Sequence, residues 1–376
     1  MKKFILLITF SVIIILLNIN SLKGQNKLKP GFDPYEYKSL LEILAKQSDT
    51  SYSVVKFPDP ENYQMVYRSE VVGLDNRWDL WVSSDSVGVI SIRGTTLKLE
   101  SWLEDFYAGM IPACGALQID SNKIFRYKLA NESNASVHVG WVVGLYYLVP
   151  SIIEKINEYY GKGIKEYLIM GHSQGASIAY LLRSYLYYTG KEKIPDDVQF
   201  KTYCSAAPKP GNLFYSYDFE FITRGGWAYR IANTQDWVPE MPFSIQTVDD
   251  MVKVNPFSEV DMLLKKMKPL ERFLLKAIYS NMMNSVKKAQ KKFRKYLGYK
   301  VYKLVNEELV NFEEPDYAKT MYYVTCGNPI ILTPTTDAYE NYIKQQKRNL
   351  FENHLIMPYY LLLKEIYLDK DGKANL

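Results

Sequence analysis

The order of apolar and polar positions divides the chain into segments of two periods. Residues 64–72, 78–83 and 87–92 are rich in Val, Ile, Trp and Tyr, and Leu74-Asp75-Asn76 and Asp85-Ser86 separate them. That spacing predicts three strands entering a sheet antiparallel to one another. Ahead of them, Asp33-Pro34 reads as an N-cap with proline at the first helical position, opening a helix through about residue 46. Beyond residue 138 the period alternates. Helices are predicted over 139–160 and 174–188, strands over 166–170, 200–205 and 227–232, a mostly helical stretch over 256–299, a last strand over 322–326 and a closing helix over 354–367. Strands that alternate with helices pair in parallel through crossover helices, so the chain is of the α/β class.

The first residues change the picture of where the protein resides. Lys2-Lys3 precede the apolar run from Phe4 to Leu17, followed by Asn18-Ile19-Asn20-Ser21. That charged start and short run have the form of a secretory signal over residues 1–24. The run is about 14 residues, short of the roughly 20 that span a bilayer. Residues 26–376 are then expected to form one catalytic domain, with a basic helical insertion over about 251–318. A net charge of +5 on 376 residues imposes no phosphate track, so nucleic acid is not expected as a partner. Three cysteines, Cys114, Cys204 and Cys326, allow at most one disulfide. With three histidines and no ligand spacing among these residues, no structural zinc site is expected.

Candidate chemistry centres on Gly171-His172-Ser173-Gln174-Gly175. This G-x-S-x-G string follows the apolar run 167–170 and precedes a run with helical spacing, the context of a nucleophile elbow. A serine on a sharp strand-to-helix turn sits in strained backbone, and Gly171 and Gly175 are the flanking positions where side chains would collide. Ala176 and Ala179 are small enough to let the following helix lie close to the sheet. The elbow predicts an α/β-hydrolase fold: a central, mostly parallel sheet flanked by helices, with a helical insertion.

A serine hydroxyl needs a base, which in this architecture is a histidine later in the chain, after the acid. His138 precedes Ser173 and His172 lies inside the turn, so both are expected to be structural; His354 remains by elimination. The acid belongs at a strand end between Ser173 and His354. Asp236 follows the predicted strand 227–232 by a few residues and fits best, with Asp337 held in reserve. Oxyanion donors are expected from the N–H of Gln174, directly after the nucleophile, and from Arg93-Gly94-Thr95-Thr96 at the end of strand 87–92. There Thr95 offers its N–H and its hydroxyl.

Several segments together resemble the class 3 lipase family. Arg93-Gly94-Thr95 with Trp102 and Asp105 is similar to the family's oxyanion strand and the segment after it; His138-Val139-Gly140-Trp141 is similar to its His-x-Gly-aromatic step. Ser205-Ala206-Ala207-Pro208-Lys209-Pro210-Gly211-Asn212 resembles its Ala-Pro-x-x-Gly-Asn element, and the stretch from Tyr229 to Pro239 resembles the one that ends in the family's aspartate. The resemblance implies Ser173, Asp236 and His354 as triad and Thr95 and Gln174 as oxyanion hole, the set reached from the residues. Gln174 stands where many members carry leucine and Ala176 where many carry glycine. The interval from Asp236 to His354 is also longer than in compact fungal lipases.

Leu99, Trp102, Leu103, Phe106, Tyr107 and Met110 recur at three- and four-residue intervals, predicting a helix with one apolar face over 99–110. The resemblance makes this a candidate lid, with Trp102, Leu103 and Phe106 on its apolar face; the other reading is a face packed permanently on the core. From Lys253 to Lys303 basic residues are interleaved with Leu, Met, Phe and Ile. Such helices adsorb to anionic lipid surfaces, or else form a solvated hairpin capping the fold. The expected activity is acyl-ester hydrolysis of lipids through an acyl-enzyme, with no cofactor. The alternatives are an esterase for small or carbohydrate-linked acyl groups, or a non-catalytic binder of membranes or polyanions.

Overall fold

The structure, a computed structural model, describes residues 27–47, 57–188, 192–258, 260–345 and 350–368. The expected signal over 1–24 lies outside the described residues. Helix α1 (Pro34–Ala45) opens as its sequence predicts: the Asp33 carboxylate accepts the N–H groups of Tyr35 and Glu36, and Pro34 takes the position that needs no donor. Strands β1 (Tyr63–Arg68), β2 (Trp78–Ser83) and β3 (Gly88–Ile92) form an antiparallel meander. Between β3 and the next strand of the main sheet lie α2 (Leu99–Phe106), β4 (Met110–Pro112), the hairpin β5 (Cys114–Asp120) and β6 (Lys123–Lys128), β7 (Ser136–His138) and the long α3 (Val139–Tyr160). The core then continues through β8 (Glu166–His172), α4 (Gln174–Tyr188), β9 (Gln199–Ser205), α5 (Leu213–Ile222) and β10 (Ala228–Asn233).

With β11 (Asn328–Leu332) at one edge, the seven strands of the main sheet run in the order β1-β2-β3-β8-β9-β10-β11, and every pair from β3 onward is parallel. Strand residues alternate between two apolar layers, as a period of two requires. Val89, Leu168, Tyr203 and Ile231 face α1 and the closing helix, while Ile90, Ile169 and Cys204 face α3 and α4. A mostly parallel sheet covered on both faces, with a strand–serine–helix turn at the end of β8, is the α/β-hydrolase fold.

Several expectations need correction, among them the helix expected over 99–110, which ends at Phe106 and leaves Met110 in strand β4. The run 322–326 is not a strand of the sheet: Val324 and Met321 make only isolated bridges, to Gly211 and Ile245, and Met321 and Tyr323 bury themselves against Met110. The chain turns at Gly327, which holds φ +88°, and the last strand is β11 (Asn328–Leu332), parallel to β10. A short apolar run fits a buried extended segment as well as a strand, and only its neighbours decide. The closing helix likewise starts later than residue 354, as α10 (Ile356–Tyr367), and His354 stands in a single 3-10 turn, Glu352–His354, ahead of it.

After β10 the insertion forms α6 (Val260–Leu264), α7 (Pro269–Arg294), a π turn (Lys295–Lys300) and α8 (Val301–Glu308), so its helix runs on past the expected end at 299. The π turn has a local cause. The N–H of Gly109 donates to the carbonyl of Leu297 at 3.1 Å, drawing it out of helical register, and Gly298 lies under the Tyr317 ring where a Cβ would come within 3.0 Å. A final helix, α9 (Asp337–Gln345), follows β11.

Candidate active site

The turn after β8 carries Ser173 at φ +60°, a left-handed conformation that costs a non-glycine residue energy and holds only where surroundings enforce it. They do so here. The Ser173 N–H donates to the Ser205 carbonyl at 3.0 Å. A Cβ on Gly171 would lie 2.2 Å from the Gly175 carbonyl, and one on Gly175 would lie 2.4 Å from the Ile92 carbonyl. Both glycines are steric requirements of a turn pressed between β3 and α4.

Three side chains distant in sequence meet at this turn. Ser173 Oγ lies 2.8 Å from His354 Nε2, and His354 Nδ1 lies 2.8 Å from Asp236 Oδ2. The Asp236 carboxylate also accepts the Tyr359 hydroxyl at 2.7 Å and the Val238 N–H at 3.0 Å. Asp236 is an acceptor only, so His354 carries its proton on Nδ1 and leaves Nε2 free to accept from Ser173. The reserve candidate Asp337 is exposed at the start of α9 and does not contact His354.

Neither of the remaining histidines joins this chain of bonds, and each has a structural task. Burial drives the His172 pKa down to about 3, so its ring is neutral. Its Nε2 faces the His354 carbonyl at 2.6 Å, which can only accept, so the N–H is there; Nδ1 then accepts from Ser205 Oγ, itself held at 2.7 Å by the Tyr37 hydroxyl. His172 therefore pins the backbone of His354. His138, also lowered to about 3 by burial, stacks on Trp141 and donates to the Asp105 carbonyl.

Thr95 and Gln174 flank Ser173 from β3 and α4. Among the described residues neither N–H has a protein acceptor. The Thr95 hydroxyl is committed elsewhere, to Asp105 Oδ2 at 2.7 Å, while Trp141 Nε1 holds the other oxygen at 3.0 Å. The expectation that Thr95 offers both donors is thus corrected to its N–H alone, because a hydroxyl has one proton to give. Burial raises the Asp105 pKa to about 6 against the pull of these two bonds. Gln174 exchanges two hydrogen bonds of 3.3 Å with Ser101: its amide oxygen accepts the Ser101 hydroxyl and its NH2 donates to the Ser101 carbonyl. The Thr96 N–H donates to the same hydroxyl at 3.1 Å, so α2 is tied directly to the serine turn.

The three candidate lid residues divide between two environments. Trp102 and Phe106 stack on one another and line a cleft, with Phe351 edge-on to Trp102. Leu103 points the other way, into the main core, beside buried Ser101 and Glu104. The cleft has a volume of about 1100 Å³, with Ser173 and His354 in its wall and Phe57, Trp237, Phe243, Leu297 and Met357 among its apolar lining.

Sequence reasoning missed Tyr359 and Asn233, both buried. The Asn233 amide donates to the Tyr339 hydroxyl and the Asn353 carbonyl, and its N–H donates to the Tyr359 hydroxyl, so the His354 turn is stapled to the end of β10. A polar residue at the end of an apolar strand and a tyrosine in the first turns of an apolar helix were the only signals. No group of three or more His, Cys, Asp or Glu side chains among the described residues is placed to hold a metal ion, and the three cysteines are free thiols, Cys204 and Cys326 buried and Cys114 exposed.

The family model described as Lipase (class 3) matches residues 89–246. Among solved structures, a triacylglycerol lipase from Penicillium expansum is similar at 15% identity, covering 56% of this chain and 75% of its own, with a TM-score of 0.40. The Lip2 lipase from Yarrowia lipolytica is similar at 17% identity, covering 58% and 78%, with a TM-score of 0.41. No curated protein matches the chain. The segment similar to that family model begins in β3, contains Thr95, Ser173, Gln174 and Asp236, and stops short of both the insertion and His354.

Proposed function

We propose that the protein is a secreted serine hydrolase that cleaves acyl esters of lipids, acylglycerols or phospholipids, through Ser173, His354 and Asp236. In this reading His354 Nε2 takes the Ser173 proton as Oγ attacks the acyl carbonyl. The oxyanion that forms is held by the N–H groups of Thr95 and Gln174, and His354 then passes its proton to the departing alcohol. Water repeats the sequence on the acyl-enzyme and releases the acid. Asp236 keeps the Nδ1 proton in place and balances the imidazolium. No cofactor takes part.

The observation that carries this reading is the pair of 2.8 Å contacts linking Ser173, His354 and Asp236 in the wall of an apolar cleft of about 1100 Å³. An apolar wall favours an acyl chain over a sugar, because burying hydroxyls there without partners is costly. Secretion is supported by Lys2-Lys3 and the apolar run 4–17, and N-terminal sequencing of the exported protein tests it. The basic insertion is read as the part that meets an anionic membrane.

The test of the chemistry is a fluorophosphonate probe combined with a series of nitrophenyl esters. The wild-type protein is expected to be labelled at Ser173 and to prefer medium or long acyl chains, with Ser173→Ala losing both label and turnover. Labelling with activity on acetate or aromatic acids only, and none on emulsions, transfers the proposal to a small-acyl esterase. An unlabelled wild-type protein makes it a binding protein.

A further inference from the structure

Helix α7 spans 26 residues, yet Gln290 is its one buried position. Over its first half, beside exposed Glu271 and Lys276, several large apolar residues face solvent: Leu270 and Phe273 are each 70% exposed, Ile278 63% and Leu274 52%. Isolated exposed leucines are ordinary, but a row of large apolar side chains along one helix face marks a contact surface. The body of the protein does not use it. α7 meets the rest of the fold near its C-terminal end, where Phe293 lies edge-on to Phe243 at 6.2 Å and packs with Leu297 beside Met110 and Met321.

The same face changes character along its length. Eighteen residues are five whole turns at 3.6 residues per turn. Lys288, Lys291 and Lys292 therefore stand on the line of Leu270, Phe273 and Leu274, about 27 Å further along the axis at 1.5 Å per residue. All three lysines are exposed. One helix face thus carries an apolar end and a cationic end. Lys265, Lys266 and Lys268 lie exposed just before the apolar end.

Charge distribution identifies the occupant. Residues 253–303 hold fourteen Lys or Arg against three acids, a net of +11 in a chain whose total is +5, so the remainder is net −6. A second copy of this chain seated on the same face, by two-fold symmetry, brings like charge against like charge. A surface that accepts leucine and phenylalanine at one place and neutralises lysines next to it is an anionic lipid bilayer, apolar below its headgroups. Continuity with the cleft points the same way: Phe243, against which the basic end of α7 rests, and Leu297 both line the cleft that holds Ser173.

We infer that α7 is a bipartite docking element for anionic lipid surfaces, with Leu270, Phe273, Leu274 and Ile278 entering the headgroup boundary and Lys288, Lys291 and Lys292 lying against the headgroups. This partner deepens the hydrolase reading and rests on it only for the use made of the bound surface. Docking brings a supply of ester to the cleft; it takes no part in the bond cleavage.

Vesicle flotation with the full chain tests the inference, using phosphatidylcholine vesicles with and without phosphatidylglycerol at about 30%, which supplies the negative surface potential that attracts polybasic segments. Wild type is expected to bind the anionic vesicles at least about 100-fold better than the neutral ones. The triple variant Lys288→Gln/Lys291→Gln/Lys292→Gln should lose about 100-fold in partition to anionic vesicles, at about fivefold per lysine. Leu270→Ser/Phe273→Ser/Leu274→Ser should lose binding to both kinds. Both variants should keep the wild-type thermal midpoint and soluble short-chain ester turnover. Ser173→Ala should bind like wild type, so a failed hydrolase reading leaves the docking result intact. Equal wild-type binding to both vesicles, or none to either, overturns the inference. So does unchanged vesicle binding by the Leu270→Ser/Phe273→Ser/Leu274→Ser variant, which makes the face a polyanion site, or a smaller assembly of that triple variant in gel filtration, which makes it an interface between copies.

Discussion

The serine turn and helix α7 are built on opposite principles. At the turn the side chains around Ser173 hold one another: Asp236 accepts three hydrogen bonds, His172 pins the His354 backbone, and Gln174 ties the turn to α2. α7 buries one residue of 26 and exposes apolar side chains. The difference teaches where each region's free energy is spent. On the proposed reading the contrast has a reason: reaction chemistry needs groups held in place beforehand, which an over-determined turn with a strained serine provides, whereas a docking surface needs exposed area, which α7 provides.

The largest effect expected on this contrast is at Asp236. Asp236→Asn retains the shape but favours the wrong His354 tautomer and should lower kcat by about 10⁴-fold, measured on a soluble ester. Activity within tenfold of wild type would remove Asp236 from its role. Next in size is a pH effect at Asp105. Its pKa is raised to about 6, so the folded state holds a proton that the unfolded carboxyl, near 3.9, has released. Stability from this group is fully present below about pH 4 and is lost as pH rises through about 6, by about 3 kcal/mol. The stability of wild type minus that of Asp105→Asn, from urea unfolding at pH 4 to 7, should fall by that amount; a flat difference contradicts it.

A smaller effect is expected from Gln174→Leu. It cuts the tie between α2 and the serine turn while leaving the backbone donor, so kcat should drop about tenfold with KM little changed, a loss of positioning well below that of a whole donor. A change in KM alone would mean that α2 shapes binding and not the donors. Smallest of all is Leu270→Ser on α7, which should move stability by no more than about 0.5 kcal/mol, as exposed positions do. A loss of 2 kcal/mol or more would show that this face is covered in the folded protein and would erase the contrast.

Much of the site was legible in the sequence because its residues obey local rules. Gly171 and Gly175 mark a turn that admits no side chain, and Val139–Tyr160 and Gln174–Tyr188 have the bounds their apolar spacing predicts. His354 could be named because only three histidines exist and two lie in the wrong places along the chain. The hairpin of β5 and β6 escaped notice although Leu117, Ile119, Phe125 and Tyr127 alternate inward on it. Residues 322–326 looked like a strand because burial in a loop calls for the same side chains as burial in a sheet. The split of Trp102 and Phe106 from Leu103 was invisible, since helical spacing shows that a face is apolar but not which of two neighbours it meets.

By itself the sequence determined the α/β class, the serine turn, the chemical identity of the candidate base and acid, and the concentration of positive charge in one insertion, because periodicity, steric exclusion at glycine and formal charge are properties of a residue and its near neighbours. Only the tertiary structure decided that Asp236 and not Asp337 reaches His354, that the Thr95 hydroxyl belongs to Asp105, that His172 and Tyr359 hold the histidine turn, and that the apolar and basic ends of α7 share one unburied face. Those facts depend on hydrogen bonds and contacts between segments separated by up to 182 residues, which exist only once the sheet has brought them together.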